Sequence, residues 1–203
     1  MSIATHGQQN PLKYKRIDNW ISTDCVAIFR QRENLMKQPN STLAAWQRLS
    51  RKPAGKWVFT RLVCWKAPYF GSIRPAFADL RPGFCEVHIK KRRLVLNHIG
   101  TVHAIAMCNM AELAGGTMTE VTVPSDYRWI PKGMTVEYIA KAETDLKAVA
   151  RLDPIPPFAA AAELPVTVTV VDKAGQTVFR AVITMWVSPK KGRAAAGMED
   201  AGL

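Results

Sequence analysis

Several features common in proteins are missing from this chain of 203 residues. No apolar run approaches the roughly 18 residues needed to cross a bilayer. The opening stretch, MSIATHGQQNPLKYKR, holds no apolar segment that could form the core of a signal peptide. The cytoplasm is therefore the expected location. Cysteine is scarce, and Cys25, Cys64, Cys85 and Cys108 lie far apart, with no Cys-x-x-Cys pair and no clustered histidines. That argues against a zinc site or a dithiol redox motif and leaves buried free thiols as the expectation. Acidic residues are also few, 16 against 28 Lys and Arg, for a formal charge of +12. The sign favours polyanionic partners without separating nucleic acid, anionic lipid and a phosphorylated carrier such as coenzyme A.

What is present is a folded composition, 48% hydrophobic and 22% charged. Three zones separate. Residues 1–66 read as a basic N-terminal helical extension, 67–190 as the main domain and 191–203 as a flexible tail rich in Ala, Gly and charge. In the first zone Trp20, Ile21, Val26, Ile28, Phe29 and Leu35 give loose helical spacing over residues 18–36. A second short helix is expected over 42–51, capped by Asn40-Ser41, with Leu43, Trp46 and Leu49 on one face. Pro53-Ala-Gly55 breaks it, and a third apolar segment runs from Trp57 to Trp65. Met36 would serve as the start of a shorter protein, making residues 1–35 an accessory extension.

The pattern changes after Pro68. Residues 73–80 and 86–96 look like strands around the turn Arg81-Pro82-Gly83, and the run Lys90-Lys91-Arg92-Arg93 reads as a solvated strand edge. Residues 101–114 follow as a helix apolar nearly all round, too short to span a membrane and hence buried, ending at Gly115-Gly116. Strand-like segments then succeed one another at 118–123, 134–142, 146–152, 166–171 and 177–187, with a hairpin turn at Lys173-Ala-Gly-Gln176. Two strands, one buried helix and a run of antiparallel strands make an α+β plan in which a sheet wraps a central helix.

Only Asn109 and Glu112 are strongly polar within that helix, and burying a carboxylate without a partner costs several kcal/mol, so Glu112 needs a reason to be there. The preceding loop supplies one. Asn97-x-x-Gly100-x-x-His103, with an acid nine residues further on, resembles the signature of hotdog-fold thioesterases of the phenylacetate-pathway, acyl-CoA type. The string NHIGTVHAIAMCNMAELAGG resembles a bacterial branch of that superfamily known as a domain of unknown function. The resemblance spans residues 73–187.

It implies a hotdog fold and hydrolysis of an acyl-CoA, or of an acyl-carrier-protein thioester, with no cofactor or metal beyond the substrate's own coenzyme A. By resemblance, the backbone N–H of Ala104 would donate to the thioester oxygen, Asn97 would position the thioester and His103 would orient the loop. Glu112 would act as general base or nucleophile, and Thr135 would hold the attacking water. Apolar surroundings would raise the pKa of a buried Glu112. Gly100 shapes the loop, and Met107, Met110 and Ala111 would floor the acyl pocket. Arg128, Lys132 and the run 90–93 are candidate contacts for coenzyme A phosphates, and Trp129 for its adenine.

Nine residues at about 100° each put Glu112 roughly 180° around the helix from His103 and about 13 Å along it. The two halves of the motif therefore ask for a homodimer, each site taking His103 and Ala104 from one chain and Glu112 from the other. Pairing of dimers into tetramers stays open. The family's usual Gly-Gly after the histidine is Ala104-Ile105 here, which crowds the approach of the thioester. A hydroxyacyl-thioester dehydratase would need a Pro-Gly-rich loop that Thr101-Val102-His103-Ala104 lacks. A non-catalytic acyl-CoA-binding module remains the alternative of a different class. Nucleic acid is disfavoured, because the N-terminal helices show no helix-turn-helix pairing or regular basic face.

Overall fold

The computed structural model describes residues 40–190; the helix expected at 18–36 and the tail from 191 lie outside them. The first helix, α1, spans Ser41–Leu49 and is capped by Asn40, whose Oδ1 accepts from the Thr42 N–H at 2.8 Å. α2 spans Gly55–Lys66, and a 3-10 turn follows over Pro68–Ile73. β1 (Ala76–Arg81) and β2 (Phe84–Ile89) form a hairpin, and a second 3-10 turn, Arg93–Val95, leads to the long helix α3, Ala104–Thr122. β3 (Tyr127–Tyr138), β4 (Leu146–Arg151), β5 (Ala162–Val171) and β6 (Thr177–Pro189) complete one antiparallel sheet in the order β1-β2-β4-β5-β6-β3.

That sheet wraps α3, as the alternation of β5 and β6 requires. Leu164, Val166, Val168 and Val170 of β5 and Phe179, Ala181, Ile183, Met185 and Val187 of β6 are buried at every second position. They close on Met110, Ala111, Leu113, Ala114 and Met118 of α3. The N-terminal helices join the same core. Trp46 of α1, Phe59 of α2 and Phe77 of β1 pack edge-on, with Trp46–Phe59 centroids 5.1 Å and Phe59–Phe77 centroids 5.2 Å apart. Asn40 also reaches Glu120 near the end of α3, donating to its carbonyl at 2.6 Å and to Oε1 at 3.2 Å.

Two expectations are corrected. The central helix does not end at Gly115-Gly116, and residues 118–122 belong to it rather than to a strand. The glycines serve packing. A Cβ on Gly115 would lie 2.8 Å from Ile183 Cδ1, and one on Gly116 would lie 3.3 Å from the Trp129 ring, so they let the helix press against the sheet. Likewise the second strand stops at Ile89 instead of running to Leu96. The Lys91 N–H leaves the ladder to donate to Asp145 Oδ1 at 2.9 Å, and Arg92 Nη2 turns back to the Ser72 carbonyl at 2.9 Å, so the basic run forms a loop.

Gly55 gives a direct check on how α1 and α2 are joined. A Cβ there would lie 1.7 Å from the Leu49 carbonyl oxygen, a backbone atom with little room to yield. Gly55→Ala should lower stability by about 3 kcal/mol in denaturant unfolding. Gly133→Ala, where a Cβ meets nothing within 4 Å, should change it by less than about 0.5 kcal/mol.

Candidate active site

The loop before α3 is built on one side chain. Asn97 Oδ1 accepts from the Ile99 N–H at 3.1 Å and the Thr101 N–H at 3.0 Å, while Asn97 Nδ2 donates to Thr101 Oγ1 at 2.8 Å. The Asn97 backbone N–H donates to the Thr101 carbonyl at 2.9 Å, and Gly100 turns the chain at φ +80°. A Leu96–Val102 bridge closes the loop at its base. The Val102 N–H then donates to the Ala142 carbonyl and the His103 N–H to the Val95 carbonyl, both at 2.8 Å, so the start of α3 is pinned to its neighbours.

His103 is the N-cap of α3, extended at φ −63°, ψ 140°, and its Nδ1 accepts from the Ile105 N–H at 3.1 Å. The flanking N–H groups are thus both engaged. The Ala104 N–H between them donates to nothing among the described residues. It stands at the positive end of a 19-residue helix, where an oxyanion would be stabilised.

Glu112 lies on the outward stripe of α3 with Ile105 and Cys108, and it is exposed. That corrects the expectation of a buried carboxylate in an all-round apolar helix. Of the two, Asn109 is the buried one, and it donates to Ser72 Oγ at 3.2 Å and the Tyr69 carbonyl at 3.4 Å. Glu112 borders a groove of about 400 Å³ whose other walls include Val63 and Lys66 of α2, Phe70, Trp129, Pro131 and Met185. His103 opens on a different cleft of about 190 Å³, lined by Tyr69, Ser72, Leu94, Ile105 and Asn109. Among the described residues the two halves of the motif thus border separate cavities.

The other expected residues scatter. Met107 is buried in the core at 4% exposure. Thr135 pairs with Val182, and Arg128 with Ser188, on the sheet face turned away from α3. Arg128 Nε donates to Ser188 Oγ at 3.2 Å there. Lys132 is on that face too, held by Glu163 at 2.8 Å and lying over the Trp186 ring at 5.2 Å. None of these three meets Glu112 in its groove. Trp129 does, but its Nε1 donates to Glu120 Oε2 at 2.8 Å.

Sequence reading passed over the walls supplied by the 3-10 turn and by α2. It also passed over the contact between Cys108 Sγ and Tyr138 Oη, 3.4 Å apart, which joins the outward stripe of α3 to β3. That hydrogen bond, with burial, raises the pKa of the Tyr138 hydroxyl. Only the exposed period of Ile105, Cys108 and Glu112 could have signalled it. No group of three or more metal-capable side chains occurs among the described residues.

An antiparallel six-stranded sheet wrapped on one long helix, with further helices before it, is the hotdog fold. Residues 55–187 match a domain of unknown function, DUF4442, and the chain belongs to that family. A structural-genomics protein of known crystal structure is 50% identical to it, covering 73% of this chain and 98% of its own, at a TM-score of 0.66. A Pseudomonas aeruginosa protein of unknown function, designated a probable thioesterase, shares 24% identity over 64% of this chain and 93% of its own, at 0.60. A thioesterase family protein from Silicibacter pomeroyi shares 16% over 64% and 96%, at 0.55. No curated protein matches.

Asn97→Ala would remove three side-chain hydrogen bonds while leaving the helix cap in place. Stability should fall by about 1–2 kcal/mol, and amide exchange at Ile99 and Thr101 should accelerate ahead of the rest of the chain. Unchanged exchange at those two amides would show that the backbone alone holds the loop.

Proposed function

We propose that the protein hydrolyses an acyl-CoA thioester at a site shared by two copies of the chain. The observation that carries this reading is the free Ala104 N–H at the start of α3, set between two committed neighbours. It would donate to the thioester carbonyl oxygen as negative charge develops there, with the helix dipole adding to it. Glu112 of the other copy would take a proton from water, or attack directly, and the thiolate of coenzyme A would leave. Asn97 and His103 hold the loop and the cap that present the donor. Thr135, facing away from α3, is given no part.

The dimer is supported by β3. Among the described residues it is an edge strand whose ladder is open on one side, and Ile130, Met134 and Tyr138 stand exposed along it. Pairing of two β3 edges would satisfy the ladder and cover these side chains. A second reading, an acyl-CoA-binding module without turnover, has Ile105 in its favour. That side chain is 54% exposed where thioesterases of the resembled type carry glycine, and it narrows the approach to Ala104.

Proline at position 104 tests the donor cleanly. His103 already has the extended conformation that precedes proline, and the first helical position tolerates it. Ala104→Pro should keep the melting temperature yet cut release of free thiol from acyl-CoA by about 100-fold or more, and Glu112→Gln should cut it similarly. Mixing the two inactive variants should restore roughly a quarter of wild-type activity through hybrid dimers. Wild-type turnover that survives in both variants would rule out this chemistry. Binding without any turnover would favour the module.

A further inference from the structure

A second apolar surface lies on the outer side of α2. At about 100° per residue, Phe59, Thr60, Val63 and Cys64 share one side of the helix, and the opposite side carries Trp57, Val58, Arg61, Leu62, Trp65 and Lys66. Phe59, Thr60 and Cys64 are buried and Val63 is half-buried, as packing against the core requires. The opposite side is not covered: Trp57 is 65% exposed, Leu62 51% and Trp65 83%. Tyr69, in the 3-10 turn that follows, is 68% exposed. Leaving two tryptophans and a leucine side by side in water is costly.

The charges carried by α1, α2 and the turn between them have one sign. Arg48, Arg51, Lys52, Arg61 and Lys66 are exposed on α1, α2 and the turn between them. The chain has no Asp or Glu between Glu33 and Asp79. We propose that the outer face of α2 docks on an anionic lipid bilayer, with Trp57 and Trp65 at the headgroup level, Leu62 beneath them and the cations against lipid phosphates. Tryptophan favours that boundary because its ring is apolar and its N–H is polar, and Lys and Arg reach from an apolar face to charged headgroups.

Charge complementarity selects this occupant. A second copy docked through the same face would set these cations against themselves. Residues 1–39 carry Lys13, Lys15, Arg16, Arg30, Arg32 and Lys37 against Asp18, Asp24 and Glu33, so their net charge has the same sign as the face. Nucleic acid would match the sign but gains little from Val58 and Leu62 set among the tryptophans. Val63 and, at the margin of the outer face, Lys66 line the groove that holds Glu112, so docking would bring the rim of that groove to the membrane surface. Docking does not depend on the hydrolysis proposed above.

The full-length protein should cosediment with phosphatidylcholine vesicles containing roughly a third phosphatidylglycerol, with a blue shift of tryptophan emission. It should not do so with phosphatidylcholine alone. Raising NaCl from about 0.1 to about 0.5 M should weaken binding. The triple variant Trp57→Ala, Leu62→Ala, Trp65→Ala, altered only at exposed positions, should keep its melting temperature and bind about tenfold or more weakly. Absence of vesicle binding would overturn the proposal, as would equal binding by the triple variant. So would loss of self-association in that variant, or duplex DNA binding that the variant loses without any vesicle binding by the wild type.

Discussion

The close seating of α3 in the concave face of the sheet governs the rest of this molecule. At Gly115 helix and sheet approach until a single Cβ would press on the tip of Ile183, and Val166 and Val168 flank the same spot. Interiors this dense transmit position, so fixing the middle of the helix fixes its two ends. At one end the strand-like bonds from Val102 and His103 receive the chain as it enters. At the other, Glu120 holds both Asn40 and Trp129, which fastens α1 and β3 to the final turn. The helix works as a beam between an anchored loop and a latch, and the outward stripe of Ile105, Cys108 and Glu112 is what that anchoring leaves uncovered.

Seen this way, the exposure of Glu112 and the burial of Asn109 are two sides of one geometry. Three residues apart, they lie on adjacent faces. The one under the 3-10 turn donates its Nδ2 to Ser72 and the Tyr69 carbonyl while its buried Oδ1 has no partner among the described residues, and the one beyond it looks into an open groove. If Glu112 works as a base, the desolvation has to come from a second chain or from the acyl group itself.

Much of the architecture was legible in the sequence because its periods are strong. Val-Thr-Val-Thr-Val-Val and Val-Phe-Arg-Ala-Val-Ile-Thr-Met-Trp-Val alternate cleanly, and the helix around Met107 to Ala114 has no competing pattern. The cap at Asn40 was readable from side-chain chemistry, whereas Asn97 was singled out by family resemblance and its hold on the loop shows only in its hydrogen bonds. What was not legible depended on contacts between distant segments. Gly115-Gly116 looks like a helix end unless Ile183 and Trp129 are known to lie against it. The basic run looks like strand until Asp145, more than fifty residues away, takes the Lys91 N–H. Thr135 looked like part of the site because its sequence position matched, and only the pairing with Val182 shows which way it faces.

That last point follows from a bulge in β3. Tyr127, Trp129 and Pro131 oppose Pro189, Val187 and Met185, but Gly133 already opposes Thr184, so Lys132 is an extra residue with no place of its own in the ladder. A chain one residue shorter there would run an unbroken ladder with Met134, Val136 and Tyr138 still turned to α3. Loss of a residue further along would invert every side chain beyond it. Length is therefore expendable at one point of this strand, and alignments of relatives should place their gaps at Lys132.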